Sequence, residues 1–252
     1  MLLFSFKRLL IAGCFLFASS AFAGGSATTL ASTGQNFIKP YRAVYDANFN
    51  VILPFQGKAV RQLKQQENGH WLLSHTIDSG VLSLQETSLF DWQAQQPKPL
   101  AYRYQQNSIG KNKNEALDFD WPAQQVHHQT DKAPGSFAIP DNTLDKLTYQ
   151  LKIRQDLANS KDVGVYTVAD KRKLKEYGFI LLGSELLDTP VGKLETVKLK
   201  RDRGPNSDRE TILWLAKEWD YLLVKIQQRE DGKDYEVVMV EGDLNGQPIK
   251  GS

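Results

Sequence analysis

The runs Gly192-Lys-Leu-Glu-Thr-Val-Lys-Leu-Lys-Arg201, Thr211-Ile-Leu-Trp-Leu-Ala216 and Tyr221-Leu-Leu-Val-Lys-Ile226 decide the fold. They are short and β-rich, and a polar turn and Lys217-Glu-Trp-Asp220 separate them, which predicts an antiparallel meander. The last two runs are apolar on both faces, so they belong mid-sheet with something packed on each side.

Downstream, Asp231-Gly232 is a hairpin signal before a last strand over 235–240, and residues 246–252 read as a polar, flexible tail. Upstream, Val165, Thr167 and Ala169 alternate with Tyr166 and Val168, and strand-like runs cover 177–182 and 185–187. Between them the charges from Lys171 to Lys175 suit a solvated turn. The first half repeats this rhythm. Strand candidates at 41–51, 59–63, 71–77, 81–92, 100–106, 116–121 and 125–130 are separated by Pro54 with Gly57, Asn68-Gly69, Ser79-Gly80 and similar turn signals.

The pattern changes once. Leu144, Leu147, Leu151 and Ala158 fall at helical spacing, with Tyr149, Ile153 and Leu157 widening the apolar surface. Asp141 offers an N-cap and Asp145 a negative charge near the first turn. Such a helix either covers one face of the sheet or plugs a cavity beneath it.

Residues 1–23 have the makings of a signal peptide: Lys7 and Arg8, an apolar run from Leu9 to Phe17, and Ala21-Phe22-Ala23 before the cut. Ile11-Ala12-Gly13-Cys14 resembles a lipoprotein box, but its apolar segment is short and a better cleavage site follows. Cleavage after Ala23 removes Cys14, the one cysteine of the 252 residues, so the mature chain would have no disulfide. The whole sequence has 31 Lys and Arg against 29 Asp and Glu, and losing Lys7 and Arg8 equalises them. That balance argues against a nucleic-acid partner. Residues 24–36 are small and polar and read as a disordered lead-in to one β-rich domain over 37–245.

The run from Trp214 through Trp219-Asp220-Tyr221 to Ile226 resembles the closing signature of a proteobacterial exported family, domain of unknown function 3108. Pro40-Tyr41, Phe119-Asp120-Trp121, Asp145 to Arg154, Tyr166 to Asp170, Tyr177-Gly178-Phe179 and Thr189 to Gly192 agree with it, so the resemblance spans nearly all of 37–240. Leu223 stands where that family usually has proline. The resemblance implies a periplasmic β-rich domain and transfers no functional residues. More distantly, the pattern is similar to the half-open barrels of periplasmic lipoprotein carriers.

These signals converge on a mainly β fold: a curved antiparallel sheet or incomplete β-barrel around one main amphipathic helix. No Gly-x-Ser-x-Gly or phosphate-binding loop occurs, so a non-catalytic role is expected, with no cofactor. His70, His75, His127 and His128 do not match zinc spacing, and Asp118 with Asp120 lacks a calcium loop, so no metal is expected. Two-faced apolar strands leave one face needing a cover. If the helix is too small for that, a cavity for an apolar or lipid ligand remains, with Leu144, Leu151, Phe179, Trp214 and Tyr221 as wall residues. The alternative is an envelope protein partner docked on a solid core; an enzyme acting on an envelope polymer ranks below both. The apolar run at 9–17 is too short for a membrane span.

Overall fold

The computed structural model describes residues 37–49, 55–79, 82–108, 111–205, 207–230 and 232–252. The expected signal peptide, Cys14 and the lead-in at 24–36 lie outside the described residues, as do Pro54, Gly80 and Asp231.

The strands, in chain order, are β1 Tyr41–Phe49, β2 Phe55–Gln65, β3 Trp71–Asp78, β4 Leu82–Gln93, β5 Gln96–Ser108, β6 Lys111–Asp120, β7 Gln125–Thr130 and β8 Gly135–Ala138. Helix α1, Thr148–Ala158, follows. Then come β9 Val165–Asp170, β10 Lys173–Thr189, β11 Gly192–Asp202, β12 Glu210–Ala216, β13 Leu222–Glu230, β14 Lys233–Leu244 and β15 Gln247–Pro248. The meander read from the sequence is β11 to β13, and β12 pairs antiparallel with both its neighbours.

Two sequential meanders, β1 to β8 and β9 to β14, form one open antiparallel sheet by pairing β1 with β14. This leaves β8 and β9 as the two edges. The connection between them carries α1 and packs against one face of the sheet, its concave side, touching both meanders. It is tied at both ends. Ile139 N–H donates to the Gln124 carbonyl at 2.9 Å beside β7. Leu144 forms a parallel bridge to Val168, its N–H donating to Thr167 at 2.9 Å and its carbonyl accepting from Ala169 at 2.8 Å.

The helix starts later than its apolar spacing predicts, and Asp145 rather than Asp141 supplies the side-chain acceptor ahead of its first turn. Asp145 Oδ1 accepts the Leu147 and Thr148 N–H groups, each at 2.8 Å, while Thr148 Oγ1 accepts Asp145 N–H at 2.9 Å. This reciprocal arrangement satisfies donors that a helix start otherwise leaves orphaned. Asp141 lies instead on an exposed turn, its Oδ1 3.3 Å from Gln124 Nε2.

α1 packs both ways. Leu147 and Leu151 join the core that includes Leu63, Leu73, Phe90, Tyr102 and Leu117 of the first meander. Ile153, with Tyr149 and Leu157, joins Tyr177, Phe179, Leu199, Leu213 and Leu215 of the second. Burial of each such leucine or isoleucine contributes about 1.5–3 kcal/mol.

The C-terminal residues correct the expectation of a flexible tail. β15 pairs with β14, and Ile249 is buried. Lys193 and Ser252 exchange two backbone hydrogen bonds at 3.1 Å, and Gly251 N–H reaches Val191 at 2.7 Å. A Cβ on Gly251 would stand 2.4 Å from the Lys193 carbonyl oxygen, so only glycine allows this approach. The segment is polar in composition, and backbone bonds hold it where side-chain patterning gives no sign.

Candidate functional site

Cross-strand register builds an unusual row on the concave face. Arg61 of β2 lies opposite His75 of β3, His75 opposite Glu86 of β4, Glu86 opposite Tyr104 of β5, and Tyr104 opposite Glu115 of β6. The connection carrying α1 supplies the counter-groups. Lys146 Nζ lies 2.8 Å from Glu115 Oε2 and over the Tyr102 and Tyr104 rings at 4.8 and 5.0 Å. Gln150 Oε1 accepts from Arg61 at 2.5 Å, and Asp145 Oδ2 accepts from Ser88 at 2.5 Å. Tyr102 donates to Glu86 at 2.5 Å.

Dehydration is the main influence on the protonation of His75 and Glu86 in this row and of Asp145 beside it. Burial, aided by the Arg61 charge, pushes the His75 imidazole down to about 3, so it is neutral at ordinary pH. Burial raises the Glu86 and Asp145 carboxyls against the hydrogen bonds that hold them. Groups perturbed in this way mark functional sites and structural networks alike. Two polar atoms in the row, Arg61 Nε and His75 Nε2, are buried without a hydrogen-bond partner.

The space beside this row is small. One cavity of ≈ 20 Å³ is lined by Tyr41, Arg61, Gln150, Leu151, Arg154 and Leu223 among others, which is room for about one water. The larger hollows are open grooves. One of ≈ 440 Å³ lies beside Lys98, Lys152, Asp156 and Tyr166, and one of ≈ 510 Å³ beside Arg103, Gln105 and Gln129.

The exposed apolar surface lies elsewhere. β9 covers β10 only over 173–178, and Phe179 N–H adds one bond to the Gly164 carbonyl at 3.0 Å. Beyond that point, among the described residues, the outer edge of β10 has no strand beside it. This free edge carries Ile180, Leu181, Leu182 and Leu186, which are 47, 54, 47 and 61% exposed. Val165, 65% exposed, stands at its near end. A register break between Leu181 and Gly183 inserts one residue, with Gly183 at φ +120°. It puts Leu181, opposite Leu199, on the same face as Leu186, opposite Glu195.

Comparison with known proteins agrees with this architecture. The family described as protein of unknown function, DUF3108, matches residues 44–239. The chain belongs to the DUF3108 family. Among solved structures it is similar to a β-barrel-like protein of domain of unknown function DUF1849 from Brucella abortus. That likeness has 9% identity and a TM-score of 0.57, and covers 82% of this chain and 98% of that one. It shows a shared β-barrel-like fold. The Pseudomonas aeruginosa MucA/MucB complex aligns at 8% identity over 83% of this chain and 89% of that one, with a TM-score of only 0.17. A search of the curated proteins finds no match.

In this DUF3108 domain the five residues expected to line one cavity divide between two cores: Leu144 and Phe179, with Tyr221 packed against them, belong to the second, and Leu151 and Trp214 to the first. Leu151 borders the ≈ 20 Å³ cavity, and Leu144 lines the ≈ 440 Å³ groove. Phe179 stacks on Tyr149 at 5.8 Å within the second core. Tyr221 occupies the turn after the Lys217–Trp219 3₁₀ turn, at φ +55°. Trp214 lies on the opposite face from Leu213 and Leu215, in a row with Lys198 and Lys225. Both lysines sit over its ring at 5.0 and 5.1 Å, and its indole N–H donates to Glu185 at 2.5 Å. Leu223 supplies the carbonyl that accepts from Tyr45 Oη at 2.8 Å. Proline keeps that carbonyl, so the family's usual residue is compatible with the same bond.

Of the other polar candidates, His128 buries its Nδ1 without a hydrogen-bond partner, and several of the rest have ordinary partners. Asp118 pairs with Arg103 at 2.6 Å, Asp120 accepts from Ala123 N–H at 3.0 Å, and His70 contacts Asp91. Lys171 takes the turn, while Lys175 lies on β10 and pairs with Asp170 at 2.5 Å. No helix among the described residues is long and apolar enough to cross a membrane.

Proposed function

We propose that this protein is an exported, non-catalytic binding module of the cell envelope, and that it holds a polypeptide partner in extended form along the outer edge of β10. The carrying observation is that free edge with its exposed Ile180, Leu181, Leu182 and Leu186. Unpaired backbone N–H and C=O groups give an incoming strand its hydrogen bonds, and alternate side chains give it specificity. Apolar patches of this kind on a filled core mark protein interaction sites. Among the described residues α1 and its leucines occupy the concavity, and the cavity beside them, ≈ 20 Å³, is too small for an acyl chain. Carriage of a lipid within the sheet therefore loses ground to protein binding. Export rests on Lys7, Arg8, the apolar run and Ala21-Phe22-Ala23.

Photo-crosslinking from position 182 or 186 in cells expressing the full chain tests this. A discrete adduct to one polypeptide is expected, and it should vanish in Leu181→Lys with the thermal midpoint unchanged. Adducts at the exposed Lys64 position equal to those at β10 would overturn it. N-terminal sequencing of the periplasmic protein should begin at Gly24.

A further inference from the structure

The ≈ 20 Å³ cavity is bordered by two arginines, Arg61 from β2 and Arg154 from α1. They are 5 and 6% exposed. Among the described residues neither guanidinium is within ion-pair distance of a carboxylate, although burying a charge costs several kcal/mol unless it is compensated. What they have is partial. Arg61 donates to the neutral Gln150 amide at 2.5 Å, and its Nε–H is an orphan. Arg154 Nε donates to the Asp220 carbonyl at 2.9 Å, and its guanidinium lies over the Phe37 and Tyr41 rings at 5.8 and 5.2 Å. Glu86, the acid whose charge reaches Arg61, is bonded to Tyr102. The Asp220 carboxylate, itself paired with Lys39, attracts Arg154 from beyond ion-pair distance, and the two cations repel one another across the site.

A buried cavity flanked by two guanidiniums, neither ion-paired to a carboxylate among the described residues, is complementary to an anion. Its walls of Leu73, Leu151, Ile153, Leu213, Leu215 and Leu223 lower the local dielectric and strengthen that attraction. We infer that the cavity binds one small monovalent anion, a halide or the carboxylate of a one-carbon acid, between the Arg61 and Arg154 guanidiniums. Size sets the class, because the space takes an ion about as large as a water. The site is independent of the β10 edge.

Thermal unfolding of the full chain at constant ionic strength in chloride, bromide, formate or gluconate tests this. The first three should raise the midpoint by a few degrees over gluconate, which is too large to enter, with saturable dependence on concentration. Arg154→Gln should abolish the difference between salts. Should that variant not fold, bromide diffraction from wild-type crystals decides, with an anomalous peak expected between the two guanidiniums. Equal midpoints in all four salts, or crystals with no bromide in the cavity, overturn the assignment. A larger rise with dodecanoate below its micelle concentration than with formate also overturns it, since that would identify a lipid headgroup.

Discussion

The two meanders share a helix but meet it with different chemistry. On the β1 to β8 side the concave face carries the row Arg61, His75, Glu86, Tyr104 and Glu115, matched by Lys146 and Gln150. On the β9 to β14 side the same helix meets Tyr177, Phe179, Leu199, Leu213 and Leu215. Beyond the packing of Leu147 and Leu151, the first contact depends on partners, because an unmatched buried charge is expensive. The second depends on volume. One connection can serve both because Lys146, in the turn before α1, and Gln150 face one way and Tyr149 and Ile153 the other.

The largest expected difference between the halves comes from Lys146. Lys146→Met leaves the Glu115 carboxylate buried and is expected to cost about 3–5 kcal/mol in urea unfolding, whereas Lys146→Met with Glu115→Gln should recover most of it. A double variant no better than the single would mean that the row is not a charge-matched unit.

His75 gives the next effect. Its folded pKa lies below the unfolded value, so its neutral form contributes stability above about pH 6.5 that is lost as pH falls towards about 3. Wild type should lose up to about 1.4 kcal/mol per pH unit more than His75→Gln across that window. Glu86 and Asp145, raised by burial, act in the opposite sense, so the difference between the two curves is the readout. Parallel curves would remove His75 from the row's electrostatics.

The apolar half should give the smallest response. Ile153→Val should cost about 0.5–1.5 kcal/mol with no pH dependence, measured by the same unfolding titration.

Much of the sheet could be read from local sequence, because each hairpin joins neighbours in the chain. The Gly192 to Ile226 runs and the Asn68-Gly69 turn needed only alternation and turn residues. The polar row could not be read in the same way. Arg61 was visible beside Ala59 and Leu63, but its neighbours depend on the register of four further strands. Leu181 and Leu186 show the same limit more sharply. Five residues apart, they read as opposite faces of a strand, and a single inserted residue at Leu182 brings them together. The two runs at 177–182 and 185–187 are likewise one strand broken in register. The arginines at the cavity come from β2 and α1, 93 positions apart in the chain, and nothing local announces their meeting.

The β1–β14 seam has a kinetic meaning. Elsewhere along the sheet each strand finds a partner that is its neighbour in sequence, a search over a short loop. At the seam Arg42 meets Glu241 across 199 positions. Loop closure there carries the largest entropy cost in the sheet, though that cost grows only logarithmically with length. Topologies with such distant pairings fold slowly. The seam is also where an early pairing of the wrong strands would do the most harm. Correct assembly therefore falls to one nine-residue strand, Tyr41–Phe49, whose Ala43, Tyr45 and Ala47 are buried.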